Sequence, residues 1–170
     1  MIIQTNRLSL ISGDAEILQA AIDGDESLGR KLNVVVADGW TEFGPMAFQY
    51  ALNMLLKDPE ECLWLTYFPV LKDKQILIGS GGYKGKPAGG IVEIGYEIAP
   101  DYRDQGYATE FCRALINNAF QHPFVNTVIA HTLAHENPST SVLRKCAFEK
   151  VEEINDPEDG LIWRWELKKV

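Results

Sequence analysis

The sequence predicts an α/β fold: one mixed, largely antiparallel sheet flanked by helices. Two observations carry this. The order of elements is strand, helices, a run of strands, then helix and strand alternating, then a closing hairpin. In the last strand Leu161, Trp163, Trp165 and Leu167 alternate with Ile162, Arg164, Glu166 and Lys168, a half-buried antiparallel pattern. No repeat, low-complexity stretch or linker interrupts the 170 residues, so residues 1–170 read as one domain.

The elements follow in order. IIQTNRLSLI alternates loosely and reads as a first strand. Asp14 is placed to cap the next helix, with Ile17, Leu18, Ala21 and Ile22 on its buried face. Residues 44–58 form another helix, carrying Met46, Tyr50, Met54 and Leu55 and stopping at Asp58-Pro59. LWLTYFPVL and QILIGSGGY are β-rich and flank the turn-like LKDKQ, while the glycines of GSGGYKGKPAGG mark a hairpin-like connection. IVEIGYEIA is a strand ending at Pro100. It leads into a helix beginning near Asp104, where Ala108, Phe111, Leu115 and Ala119 form one buried stripe. VNTVIAHTL is a strand, and a short helix follows from Ser139 to Lys145. FEKVEEI and LIWRWEL close the chain as strands.

Composition excludes several classes. The chain is 46% hydrophobic and 24% charged, which is ordinary for a globular protein. A net charge of -8 without any Lys/Arg block argues against nucleic acid, whose binders present a basic face. The polar Gln4, Thr5 and Asn6 interrupt any leader-like start, and the apolar window from Cys62 is short and broken by Pro69. No membrane partner is expected. Three cysteines, Cys62, Cys112 and Cys146, with no CxxC pair suit free buried thiols in a reducing cytoplasm.

IVEIGYEIAPDYRDQGYATE, residues 91–110, carries the strongest local signal. A strand ends and a short turn feeds directly into a helix. Such an N-terminus presents unpaired N–H groups and the positive end of the helix dipole, which attract phosphate. Gly106 lets the backbone approach a ligand, and Arg103 adds a cation at the mouth. The same residues also suit a plain strand-to-helix turn. The segment is neither a Walker loop nor a dinucleotide fingerprint, because GK[ST] and G-x-G-x-x-G are both missing.

Arg103-x-x-Gly106-x-Ala108 resembles the Q/R-x-x-G-x-G/A signature of the GNAT N-acetyltransferase superfamily. GYEIAPDYRDQGYATE resembles the branch of ribosomal-protein N-terminal acetyltransferases of the RimJ/RimL type. AHTLAHENPSTSVLRKCAFEKVEE does so too, with an Asn opening a helix that bears a Ser and a Val-Leu pair. QTNRLSL is similar to the family's opening T-x-R-L-x-L, and IWRWEL to its closing strand. Residues 13–75 carry no such signature.

The resemblance implies a GNAT-like fold in which the strand before the signature splays from its neighbour and pantetheine lies in the gap. It implies acetyl-CoA as co-substrate, with no metal. The backbone of Ile98 would bond pantetheine, residues Arg103, Asp104, Gln105, Gly106, Tyr107, Ala108 and Thr109 would cradle the pyrophosphate, and Asn137 and Ser139 would hold the pantetheine side. The family usually has Gly-Phe where this chain has Ala147-Phe148; a residue needing positive φ there is strained as alanine.

Acetyl transfer to an amine needs a neutral nucleophile, a donor for the oxyanion and a proton for the leaving thiolate. Glu93 and Glu97 lie on one face of the strand beside the thioester, and Glu93 is the expected base. Ser139 is the expected acid, with Ser141 and Tyr96 behind it; Ser139 also suits a helix N-cap. His131, His135 and Glu136 do not make a metal site, because an i, i+4 pair on a strand shares no helical face. Cys112 and Cys146, placed within helices, read as buried thiols, and Trp163 and Trp165 as core. The acceptor is expected to be a primary amine, on a protein N-terminus or a small molecule, and exposed strand edges would let two copies pair as a homodimer. A GNAT-like domain that only senses an acyl-CoA is the competing reading.

Overall fold

The computed structural model describes residues 1–170. Two short strands, β1 (Ile2–Gln4) and β2 (Leu8–Ser12), precede helices α1 (Ala15–Asp23) and α2 (Asp25–Leu32). The two-residue β3 (Val35–Val36) leads to α3 (Gly44–Lys57) and a 3-10 turn at Pro59–Leu63. Four strands follow: β4 (Thr66–Leu71), β5 (Ile76–Leu77), β6 (Gly79–Tyr83) and β7 (Ile91–Ile98). Then come α4 (Tyr107–Gln121), β8 (Thr127–Leu133), α5 (Pro138–Lys145), β9 (Glu149–Asp156) and β10 (Gly160–Lys168). The main sheet runs β1-β2-β4-β6-β7-β8-β10-β9, with β5 on β4 and β3 on β5. Only β7–β8 and the marginal β3–β5 pairing are parallel, as expected of a mixed, largely antiparallel sheet. No helix is long and apolar enough to cross a membrane.

Alternation divides the sheet into two differently covered faces. One face packs Tyr67, Tyr83, Ile94, Val128 and Trp165 against Phe111, Leu115 and Ala119 of α4. All three α4 residues are fully buried, so the stripe read from sequence is the helix's inner face. The other face packs Phe68, Val70 and Leu77 under α1 and α3. That layer stops short of the C-terminal half of the sheet. Glu93, Gly95 and Glu97 of β7, His131 of β8 and Arg164 of β10 lie on this same face with no helix packed over them.

Several expectations shift. Asp14 caps α1 by accepting from the Ile17 N–H at 2.9 Å, as read. The helix α2 was not legible, because in DESLGRKL only Leu28 is buried and no apolar stripe stands out. In α3 the inner face is Phe48, Ala51, Leu52 and Leu55, whereas Met46 and Tyr50 are 82% and 60% exposed. Phe48 sets that rotation by stacking on Trp40 at 5.3 Å. Gly79, Gly81 and Gly82 lie inside β6, as the β-rich run QILIGSGGY implies, and neighbouring backbone there comes too close for a side chain; the hairpin connection is confined to residues 84–90. Trp165 is core, but Trp163 is half-exposed and donates Nε1–H to Glu153 at 2.7 Å. Cys112 lies within α4, whereas Cys146 is the C-cap of α5; both are buried free thiols. Strand β9 is a sheet edge carrying Glu149, Lys150, Glu152 and Glu153, charges that discourage pairing there.

Ala147 adopts φ 64, the left-handed conformation that a methyl side chain resists. The strain foreseen from Ala147-Phe148 is therefore present. Ala147→Gly is expected to stabilise the protein by about 0.5–1 kcal/mol, after the greater freedom of glycine in the unfolded chain is deducted. Thermal melts of the two proteins should differ by about 1–4 °C. A lower midpoint for the variant would mean that the Ala147 methyl contributes contacts outweighing its strain.

Candidate active site

The site is organised by a fork in the sheet. β7 and β8 pair only at Ile91↔Thr127, Val92↔Val128 and Glu93↔Ile129, and diverge beyond. On its other side β7 stays paired with β6 through Ile98. The Lys84 N–H bonds to the Glu93 carbonyl and the Ala99 N–H to the Ile78 carbonyl, which fixes the phase of that ladder. Odd-numbered residues of β7 therefore bond to β6, and the backbones of Tyr96 and Ile98 face the gap. The Ile98 carbonyl accepts from Arg103 Nε at 2.8 Å, which leaves its N–H directed into the gap.

The open end of the fork leads to the start of α4. Asp104 and Gly106 both have positive φ (58 and 81), the kind of local coiling that backbone anion nests use. No side chain caps α4, and residues 104–109 donate no backbone hydrogen bond within the protein. A run of free N–H groups at a helix N-terminus is an anion site in waiting. The helix begins at Tyr107 rather than near Asp104, because Asp104 and Gly106 are left-handed.

The cation at this turn is not the expected one. Arg103 is turned away from the mouth: its Nε donates to Ile98 O and its guanidinium pairs with Glu42 at 2.9 Å. Arg7 takes its place, donating to the Gln105 carbonyl at 2.8 Å and lying 4.2 Å over the Tyr107 ring. Arg7 is held by Glu110, which accepts from Thr5 Oγ1 (2.6 Å), the Arg7 N–H (2.7 Å) and Arg7 Nε (2.7 Å). The T-x-R-L opening thus clamps the first turn of α4. Its likeness to the family was visible in sequence, but its partner, 103 residues away, was not.

Burial alone would push the Glu110 carboxyl up, but Thr5 and Arg7 outweigh it and hold it below its ordinary value of 4.5. A depressed folded-state value means the stabilisation is present above the ordinary carboxyl range and is lost as pH falls through the lower folded value. Glu110→Gln should therefore cost about 1–2 kcal/mol at pH 7, a figure discounted for the partial exposure of Arg7. The gap between the two proteins should close below about pH 4.5. Melts at several pH values test this; a constant gap would show that shape, not charge, is what the carboxylate supplies.

Within the gap, beyond the last β7–β8 pair, Tyr96 Oη is buried without a hydrogen-bond partner. Its polar neighbours are Cys112, Cys146 and Ser139. Burial, reinforced by the two thiols, pushes the phenol far up, so the hydroxyl keeps its proton and remains a donor. Ser139 is half-buried at the start of α5, whereas Ser141 is exposed. Ser139 is not the N-cap of that helix. Asn137 fills the role, accepting from the Thr140 N–H at 3.1 Å and donating Nδ2–H to His135 O at 3.0 Å.

The two strand carboxylates separate in role. Glu97 is fully engaged: Oε1 accepts from Thr41 Oγ1 (2.6 Å) and Ser80 Oγ (2.8 Å), and Oε2 from the Glu42 N–H (2.8 Å), which pins the loop before α3. Glu93 Oε1 meets Lys84 Nζ at 2.5 Å and His131 Nδ1 at 2.9 Å, and Oε2 has no partner. His131 was noticed in sequence only as half of a rejected metal pair; the other half, His135, is exposed, and Glu136 is paired bidentately with Arg144. A surface depression of about 700 Å³ among α1, α2 and α3 contains none of these residues.

The acetyltransferase (GNAT) domain family matches residues 12–149. The chain belongs to the GNAT acetyltransferase family. This GNAT protein is 29% identical over 152 residues to the uncharacterized N-acetyltransferase YjdG of Bacillus subtilis (strain 168), a match covering 87% of this chain and 89% of that protein. Among solved structures it resembles a ribosomal α-N-protein acetyltransferase, RimL, in complex with coenzyme A. There the TM-score is 0.70 at 14% identity, over 99% of this chain and 98% of that one. It also resembles a spermidine N-acetyltransferase SpeG chimera from Vibrio cholerae and hSSAT, with a TM-score of 0.68 at 14% identity over 96% of each chain. At those identities the likeness is one of fold. The RimL-type likeness read from the sequence and the GNAT-type mixed sheet thus agree with these comparisons.

Proposed function

We propose that the protein transfers the acetyl group of acetyl-CoA to a primary amine, on a protein N-terminus or a small molecule, by direct attack in a ternary complex. The observation that carries this is that β7 and β8 part beyond Glu93 and that β7 then leads, through one short turn, into the uncapped start of α4. An edge of free strand backbone suits the amides of pantetheine, and free N–H groups at residues 104–109 suit a pyrophosphate. The Ile98 N–H would bond pantetheine. Asp104, Gln105, Gly106, Tyr107, Ala108 and Thr109 would hold the phosphates through their main chain. Arg103 would support Ile98 rather than touch phosphate, and Asn137 would act by holding the α5 turn in place, since its side chain serves the cap.

Acetyl-CoA, once bound, supplies an acetyl group on a good leaving thiol. The protein's own part is to orient the amine on the open face, to receive its proton at the Glu93–His131 pair and to return one to the departing sulfur. The Ser139 hydroxyl is the donor for that last step, beside the protonated Tyr96 hydroxyl. RimL and the spermidine enzyme mark the two kinds of acceptor considered, and the acidic net charge of -8 suits a cationic amine of either kind.

Isothermal titration with acetyl-CoA, followed by a turnover screen of spermidine and peptides with free α-amines, tests the reading. One-to-one binding with turnover of at least one amine is the expected result. Binding without turnover of any amine would favour an acyl-CoA sensor, and absence of binding would overturn the proposal.

A further inference from the structure

Within the Glu93–His131 pair the two groups are not equivalent. Glu93 is the last residue of β7 paired with β8, opposite Ile129, and His131 lies two residues further along β8. Alternation places Glu93, Ile129 and His131 on the face left open by the helices, so the side chains meet across the base of the fork. Both are largely buried, with side chains 22% and 23% exposed. The Nδ1 to Oε1 distance of 2.9 Å requires Nδ1 to carry a hydrogen toward the carboxylate. In the neutral ring the lone pair then sits on Nε2, which has no partner in the protein.

Burial would raise the Glu93 carboxyl, but hydrogen bonds and charge from Lys84 and His131 more than offset this and hold it below the usual carboxylate range. A carboxylate so held is a poor acceptor for an amine's proton. Proton transfer is most efficient when the base titrates near the working pH, and imidazole is the side chain that ordinarily does so. The charged groups facing His131 are Glu93 from β7, Lys84 from the loop after β6, Asp156 from β9 and Arg164 directly across on β10. Arg164 is itself neutralised by Glu166 at 2.8 Å and lies 3.9 Å from Glu152. Lys84 and Glu93 cancel likewise, so no uncompensated charge dominates the ring.

We infer that His131 takes the proton of the acceptor amine through Nε2, and that Glu93 is a positioning residue that fixes the ring's tautomer and orientation. The inference rests on the acetyltransferase reading above. In the step, the amine nitrogen forms a bond to the thioester carbonyl carbon and its excess proton passes to His131 Nε2. The C–S bond then breaks, sulfur leaves with the electron pair and takes a proton from the Ser139 hydroxyl, Ser139 regains one from solvent, and His131 returns its proton to solvent. The products are one amide and one free thiol.

The test uses the full chain, His131→Gln and Glu93→Gln, with acetyl-CoA and whichever of spermidine and the α-amine peptides the wild type turns over. His131→Gln should lower kcat by about 100-fold or more, with acetyl-CoA affinity by titration unchanged within about threefold. Glu93→Gln should retain more activity than His131→Gln. Nitrogen NMR of the His131 ring provides a readout that needs no acceptor. The neutral ring should carry its hydrogen on Nδ1 in the wild type and lose that preference in Glu93→Gln. Full activity in His131→Gln, or a wild-type ring protonated on Nε2, would overturn the inference. Loss of acetyl-CoA binding by the wild type would instead overturn the function on which it rests.

Discussion

Gly82→Ala is expected to remove most of the protein's folding stability. A Cβ at this position would lie 2.0 Å from the Leu65 carbonyl oxygen and 3.0 Å from its carbon, both backbone atoms that no rotamer change can move. The residue also holds φ +135, which alanine does not adopt without strain. The crowding falls between two neighbouring strands: Gly82 opposes Thr66 of β4 and Gly95 of β7, and the adjacent Tyr83 N–H bonds to Leu65 O at 3.0 Å. Relieving the clash would part β4 from β6 in the middle of the sheet. A cost of about 4–5 kcal/mol follows, in the range reserved for overpacked and strained backbone. Set against a total stability of about 5–15 kcal/mol, this leaves little margin. Gly95→Ala is the control. Its Cβ would meet only the mobile end of Lys84 at 3.9 Å, so the cross-strand partner should tolerate what Gly82 does not. Urea unfolding of the two variants checks the contrast, and equal midpoints would show that β6 can move aside freely.

That contrast also explains which parts of the protein were legible in the sequence. GSGGY carries two local signals, the end of a β-rich run and the start of a glycine-rich connection, because glycine clusters usually mark turns. What makes it a strand is the closeness of Leu65, Glu97 and Gly95, which are distant in sequence. The strand from Ile91 and the helix stripe of Phe111, Leu115 and Ala119 were legible because their signals are local periods of two and 3.6 residues. In α3 Leu55 is buried and Met54 packs against the core, while Trp40, which lies outside the helix, draws Phe48 inward and leaves Met46 at the surface.

The site divides in the same way. Gly106 and the turn before α4 announce themselves within a few residues. The Glu93–His131 contact depends on the parallel register Glu93↔Ile129, and the Arg7–Glu110 clamp on a pairing across almost the whole domain. Neither register is written in any local pattern. Arg103 shows the reverse relation: the local motif points to a phosphate contact, and the fold lays the side chain against the Ile98 carbonyl and Glu42.

Gly106→Val should weaken acetyl-CoA binding by about 100-fold or more, with little loss of fold. Gly106 is the N-cap of α4 at φ 81, and a β-branched residue is a severe outlier in that conformation. The strain, about 1–3 kcal/mol, would be relieved by rotating the peptides on either side. Those peptides carry the N–H groups proposed to converge on the pyrophosphate, so a modest backbone change removes several charge-assisted hydrogen bonds together. The new Cβ would also press on the Arg7 guanidinium at 3.3 Å, disturbing the one cation that sits at this turn. The melting temperature should fall by only a few degrees, since residues 104–109 donate no backbone hydrogen bonds that the fold needs. Arg103→Ala is the informative partner. If the signature acted through its arginine side chain, this variant would lose binding as severely as Gly106→Val. The structure points to a smaller loss, about threefold to tenfold, because removing Arg103 takes support from Ile98 but leaves the free N–H groups where they are. Titration of the two variants against acetyl-CoA therefore separates a cradle built from main chain from one built from charge. Equal losses would return the phosphate contact to Arg103 and require the loop around Glu42 to release it on binding.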